Sequence, residues 1–189
     1  MHSHIVHETI NLNPNIKKGS ERYNQIISKA EIRPFLIRNI SYFQGKNILD
    51  LEAQALPMRE LLEKKGVYFP IISREGTNET GIVHEGAEMI ADYEKNKLPF
   101  PEFVDVVLSL FNFPNNLENV IKCLAPDGIL IHASPPDWFN SQGINEKLAS
   151  YFKNIKCDFY DIKITQKKET IQSLGYIFAT ASEPLSRIH

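Results

Sequence analysis

Cysteine is nearly absent from this chain. Only Cys123 and Cys157 occur in 189 residues, far apart and outside any C-x-x-C pair. That excludes a disulfide framework and a thiolate zinc cluster, and it fits a reducing cytoplasm. No apolar run approaches the ~20 residues that span a bilayer, and the N-terminus is rich in His and Asn rather than basic and then apolar. Neither a membrane segment nor an export signal is predicted. Charge of one sign is missing too: 21 Lys and Arg face 23 Asp and Glu, a formal charge of -2, so no bulk field draws the chain to nucleic acid or anionic lipid. There is no internal repeat, no low-complexity segment, no G-x-x-x-x-G-K-[ST] loop for phosphates and no Ser/His/Asp or Cys/His order for a nucleophile. What is present, 42% hydrophobic and 23% charged residues, belongs to an ordinary globular protein long enough to bury one core.

The segment His2 to Lys18 is polar with scattered apolar residues and carries Asn13-Pro14-Asn15, which reads as an arm or loop. Ser20 then suits a helix cap, and Tyr23, Ile26 and Ile27 give helical spacing to about Lys29. A second helix is predicted from Pro34 to Phe43, with Pro34 in its first turn. Ile48-Leu49-Asp50-Leu51 is a short apolar run of the kind that forms a buried parallel strand. Met58 to Lys65 reads as an amphipathic helix stopped by Gly66, and Val67 to Ile72 as a strand. Gly81 to His84 suggests a short strand and Ala87 to Lys95 a helix.

Phe103 to Leu110 is the strongest strand signal, rich in β-branched residues and nearly free of charge. Leu117, Val120, Ile121 and Leu124 follow the i, i+3, i+4, i+7 rule of a helix packed on a sheet, ended by Pro126-Asp127-Gly128. A strand over Gly128 to Ala133, a loop at Ser134-Pro135-Pro136 and a helix over Ile144 to Phe152 come next. Phe159 to Thr165 and Leu174 to Thr180 read as two strands joined by a polar turn, hence an antiparallel hairpin. Alternating strands and helices closed by a hairpin predict an α/β fold with a mostly parallel sheet. Residues 1–44 are expected to pack as an arm and helices on a domain of residues 45–189, one domain overall.

Three stretches resemble the class I S-adenosylmethionine-dependent methyltransferases. Ile48-Leu49-Asp50-Leu51 is similar to the family's first strand, and Leu98-Pro99-Phe100-Pro101-Glu102-Phe103-Val104-Asp105-Val106-Val107-Leu108-Ser109 to the approach to its fourth. Leu124-Ala125-Pro126-Asp127-Gly128-Ile129-Leu130-Ile131 is similar to the family's helix-to-strand turn, and with the hairpin the likeness covers roughly residues 45 to 181. It implies a Rossmann-like methyltransferase three-layer sandwich, a mostly parallel sheet with a C-terminal antiparallel hairpin. It also implies S-adenosylmethionine at the positions of Asp50, Glu52, Gln54, Leu56, Ser73 and Glu75, and a substrate near Ser109, Phe111 and Asn112, where Phe111 and Phe113 either wall a pocket or close it as core.

The cofactor positions depart from the family. Where it places a Gly-x-Gly-x-Gly turn, this chain reads Glu52-Ala53-Gln54-Ala55-Leu56-Pro57. Each added Cβ intrudes on the close approach of backbone to cofactor, and Glu52 sets a carboxylate near that of the cofactor. Ser73 stands where an acidic residue would hold both ribose hydroxyls, with Glu75 as a nearby substitute, and the interval 74–97 that builds the adenine wall is compressed. Three readings follow. The first is a degenerate methyltransferase, its cofactor site closed, that binds a protein partner such as a related methyltransferase-like chain. The second is an active S-adenosylmethionine-dependent enzyme with an atypical loop, acting on a small molecule. The third is the same fold reused for another ligand or reaction.

Other residues invite sharper readings but have plainer ones. Ser134-Pro135-Pro136-Asp137-Trp138 resembles the motif of amino-methyltransferases acting on DNA bases, yet Asp137 holds the aromatic position, and a proline-stiffened loop with an amphipathic Trp accounts for it. His2, His4 and His7 suit a metal in type but lie in what reads as an arm, so solvent exposure and no metal are expected. His84 and His132 read as hydrogen-bonded structural histidines, and Lys163 to Lys168 as a solvated turn between strands.

Overall fold

Runs of β-branched and aliphatic residues, each too apolar to face water on both sides, assemble into a twisted sheet covered on both faces. The computed structural model describes residues 4–51, 58–67, 72–73, 104–114 and 117–185. Its strands are β1 (His4–Leu12), β2 (Ile48–Asp50), β3 (Ile72–Ser73), β4 (Val104–Leu110), β5 (Leu124–Ser134), β6 (Phe152–Gln166) and β7 (Glu169–Pro184). Their order is β1-β6-β7-β5-β4-β2-β3. Every pairing is parallel except those of β7 with β5 and β6, so β7 alone among them runs against the rest. The predicted sheet with its terminal hairpin is therefore present.

The helices are α1 (Glu21–Arg38), α2 (Arg59–Glu63), α3 (Leu117–Cys123), α4 (Pro136–Ser141) and α5 (Ile144–Ala149). On one face Ile32, Phe35 and Leu36 of α1 and Leu62 of α2 pack on Val106, Leu108, Ile131, Ile162 and Phe178. On the other, Val120 and Ile121 of α3, Phe139 of α4, and Ile144 and Leu148 of α5 pack on Leu49, Val107, Leu130 and Ala179. Two helical layers thus enclose one sheet.

Four expectations need correction. The first segment is not an arm: His4–Leu12 forms an edge strand parallel to β6, with Val6↔Tyr160 and Ile10↔Ile164 in register. An edge strand with one covered face needs few apolar residues, which is why it read as polar. Asn13-Pro14-Asn15 does form the loop, with the Asn15 amide donating to Asn13 Oδ1 at 2.9 Å. Residues 21–38 are one helix rather than two. The Ser20 hydroxyl accepts from the Tyr23 amide at 3.2 Å as predicted, but Pro34 lies inside α1. Proline there removes a helical hydrogen bond at a cost of about 3 kcal/mol, and burial of Ala30, Ile32, Phe35 and Leu36 around it outweighs that loss.

The loop predicted at Ser134-Pro135-Pro136 is a strand end followed at once by α4, with Pro136 in its first turn. The β5 strand begins at Leu124, where Leu124 pairs with Val104, so Pro126-Asp127-Gly128 lies within its span rather than before it. The strand Gly81 to His84, the helix Ala87 to Lys95 and Leu98 to Phe103 lie outside the described residues, as does most of Val67 to Ile72.

The β6–β7 turn falls at Lys167 and Lys168, inside the stretch expected to be one, with φ of 51° and 70° and Gln166 paired to Glu169. A two-residue hairpin with both central residues left-handed favours Asn and Gly, and a lysine pays about 1 kcal/mol there. Lys168→Gly is expected to raise stability by about 1 kcal/mol, read as a higher urea midpoint at unchanged slope.

Candidate functional site

In a parallel sheet of this kind ligands lie outside the carboxyl ends of the strands. β2 and β3 end side by side, Asp50 in register with Ser73. Asp50 is fully buried and engaged by its surroundings. Glu52, Gln54, Leu56 and Glu75 lie outside the described residues.

The β4 and β5 ends hold a buried polar line. Ser109 and His132 are cross-strand partners, and Ser109, His132 and Ser134 are all fully buried. The Ser109 hydroxyl donates to the Asn112 carbonyl at 2.6 Å, which commits its single proton. His132 Nδ1, 3.3 Å from that oxygen, must then be the protonated nitrogen. Nε2 is left bare and accepts from the Ser134 hydroxyl at 3.1 Å. Burial pushes the His132 pKa down to about 4, opposed by a hydrogen bond toward the Ser109 backbone. The imidazole is neutral at physiological pH and hydrogen-bonded on both sides, as the structural reading expects. Phe113, Trp138 and Phe139 surround its ring.

Chain direction changes sharply just past β4. Phe111 adopts φ 67°, a left-handed conformation that costs a bulky residue roughly 1 kcal/mol or more. Its amide donates to the Ala133 carbonyl at 2.7 Å. This bend sends Phe111 to the α1 face, edge-on to Tyr176 at 5.2 Å, and Phe113 to the α3–α5 face. Between them Asn112 is exposed at the rim. On the α1 side the Tyr176 hydroxyl donates to Glu31 Oε1 at 2.8 Å. Burial raises the Glu31 carboxyl, and burial together with that carboxylate raises the Tyr176 phenol. The sequence reading missed this pair. Its only local signal is a carboxylate set between Ala30 and Ile32, both buried.

A cleft of about 350 Å³ opens on the other side of the bend. Phe113, Trp138 and Tyr151 supply rings, Asn112 and Gln142 amides, and Lys147 an ammonium. The Lys147 nitrogen stands 5.8 Å from the Phe113 ring centre. Of the substrate residues expected from sequence, Asn112 lines this cleft, Ser109 lies beneath it, and Phe111 turns away. Trp138, expected as an amphipathic residue on a proline-stiffened loop, is one of its walls.

The remaining candidates are plainer. His7 Nδ1 meets Asp161 Oδ2 at 3.0 Å on the exposed edge, while His2 and His84 lie outside the described residues. Among the described residues no group of three metal-ligating side chains exists, and no helix is long and apolar enough to cross a membrane. Cys157 is buried, and burial pushes its thiol pKa up, away from reactivity.

No protein-family model matches the chain, and no curated protein does. Several solved structures are similar to it. A precorrin-6y C5,15-methyltransferase from Geobacter metallireducens shares 13% identity, with 89% of this chain and 92% of that one covered and a TM-score of 0.48. An S-adenosylmethionine-dependent methyltransferase from Archaeoglobus fulgidus shares 15% identity over 85% of this chain and 100% of its own, TM-score 0.47. A chain of the complex between the Trm112 methyltransferase activator of Haloferax volcanii and a candidate methyltransferase shares 14% identity, covering 88% and 95%, TM-score 0.49. Likenesses this loose decide nothing about activity. Strand order, strand direction and the two helical layers themselves make the molecule a Rossmann-like methyltransferase three-layer sandwich with a C-terminal antiparallel hairpin.

Proposed function

We propose that the chain is an S-adenosylmethionine-dependent methyltransferase with an atypical cofactor loop, acting on a small molecule held in the cleft beside Asn112. That cleft is the observation that carries the reading: it has the volume of a small-ligand site and opens next to the carboxyl ends of β4 and β5. The resemblance of residues 48–51, 98–109 and 124–131 supports the cofactor, and Asp50 and Ser73, two of the positions where that resemblance sets it, end adjacent parallel strands. S-adenosylmethionine supplies an electrophilic methyl on a sulfonium. The chain's own share is to hold a nucleophilic oxygen or nitrogen in line with it, which requires orientation more than a strong base. In this reading Asn112 orients the acceptor. Calorimetric titration with S-adenosylmethionine is expected to show saturable, one-to-one binding, and a flat titration would sink the proposal.

A second reading, a closed cofactor site on a protein-binding scaffold, is favoured by Glu52, Gln54 and Leu56 in place of glycines. It predicts the flat titration, together with co-purification of a second methyltransferase-like chain.

A further inference from the structure

The chemistry lining the cleft is selective, and we infer that it takes a small aromatic carboxylate as the acceptor molecule, an assignment that rests on the small-molecule reading above. Three ring walls, Phe113, Trp138 and Tyr151, border the space, which favours a flat apolar body able to stack or meet ring edges. Lys147 is the one charged side chain among the described lining residues. Among the described residues it has no carboxylate within ion-pair distance, and its nitrogen leans instead over the Phe113 ring. A cation left without an anion at the mouth of an aromatic cleft is a partner for a ligand carboxylate.

The described acidic groups nearby do not cancel it. Glu118 accepts from the Tyr151 hydroxyl at 3.5 Å on the rim, Glu146 directs its carboxylate toward Gly143, and Asp137 is exposed in the first turn of α4. None of the three lines the cleft. Gln142 adds an amide donor beside Lys147, and a carboxylate accepts from both, whereas a ligand ammonium would meet Lys147 with like charge. Beneath the walls, His132 is held neutral and hydrogen-bonded on both sides. It therefore fixes the backing of Phe113 and Trp138 without adding a second charge.

Trp138 is the sole tryptophan of the chain, so its fluorescence reports directly on this wall. The full chain is titrated, with and without S-adenosylmethionine, with three molecules of matched shape: 3-phenylpropanoate, 3-phenylpropan-1-ol and 3-phenylpropylamine. A saturable change with the carboxylate is expected at a Kd about tenfold below that of the alcohol, with the amine weakest. Lys147→Gln, at an exposed position, should bring the carboxylate and alcohol Kd values within about twofold of each other. Equal Kd values for all three, tighter binding of the amine, unchanged selectivity in Lys147→Gln, or no saturable change overturns the assignment. Carboxylate selectivity with a flat S-adenosylmethionine titration would retire the methyltransferase reading and keep the ligand class; the converse would retire the ligand class alone.

Discussion

Lowering the pH from 7 to 4 is expected to strip about 3 kcal/mol from the contribution that neutral His132 makes to folding. Its folded pKa lies near 4 and its unfolded value near 6.5, and each unit of difference is worth about 1.4 kcal/mol. The sign follows from proton counting. Between those two values the unfolded chain binds the proton and the folded chain does not, so stability is intact above about pH 6.5 and falls as the pH drops toward 4. The first cause is burial, which strips an imidazolium of its hydration; in addition the Ser134 hydroxyl, which donates to the bare Nε2, would have to turn round to accept a second N–H. Glu31 works in the opposite sense, because burial raises its carboxyl pKa and folding gains stability as that group protonates. The two are separated by His132→Gln, which cannot titrate. Urea unfolding of both proteins at pH 7 and pH 4 should show the loss in the parent and a shallower dependence in the variant. Equal slopes in the two would reject the buried neutral histidine.

Phe35→Ala should cost still more, about 4 kcal/mol. Phe35 is 1% exposed and lies flat on Phe178, ring centres 4.3 Å apart and planes 7° apart, with Tyr160 edge-on at 5.8 Å. It ties α1 to β6 and β7 and holds the helix in place despite Pro34. Truncation removes the stacking as well as the buried area, and neighbours anchored in strands cannot collapse into the space. Against a usual total of about 5–15 kcal/mol, such a loss brings the chain close to unfolding at room temperature. The urea midpoint should fall steeply, with Phe35→Leu losing only a fraction as much. A loss under about 1 kcal/mol in the alanine variant would mean that α1 contributes little to this core.

The same residues separate what was legible in the sequence from what was not. Phe103 to Leu110 reads as a strand from its β-branched, nearly uncharged run, and Leu117 to Leu124 as a helix from its spacing, and the structure has Val104–Leu110 and Leu117–Cys123; Ser20 announces its cap. Each is a local property, carried by period, propensity and a single hydrogen bond. The alternation of the last two strands likewise made the hairpin and the mostly parallel sheet legible. Other features depend on partners distant in the chain. His4 to Leu12 became a strand because β6 presents an edge in register with it, and Pro34 remained in a helix because Phe178 and Tyr160 receive Phe35 on its far side. In the candidate site, Asn112 could be named from its place after a strand, but its link to His132 through Ser109 arises from a cross-strand register. The union of Phe113, Trp138 and Lys147 around one cleft arises from the crossing of three separate segments. Sequence by itself determined the central strands, the helix after β4 and the closing hairpin, because backbone preference and hydrophobic period act over a few residues. Tertiary structure alone decided which side chains share a wall or a proton, because sheet register and helix packing set those distances.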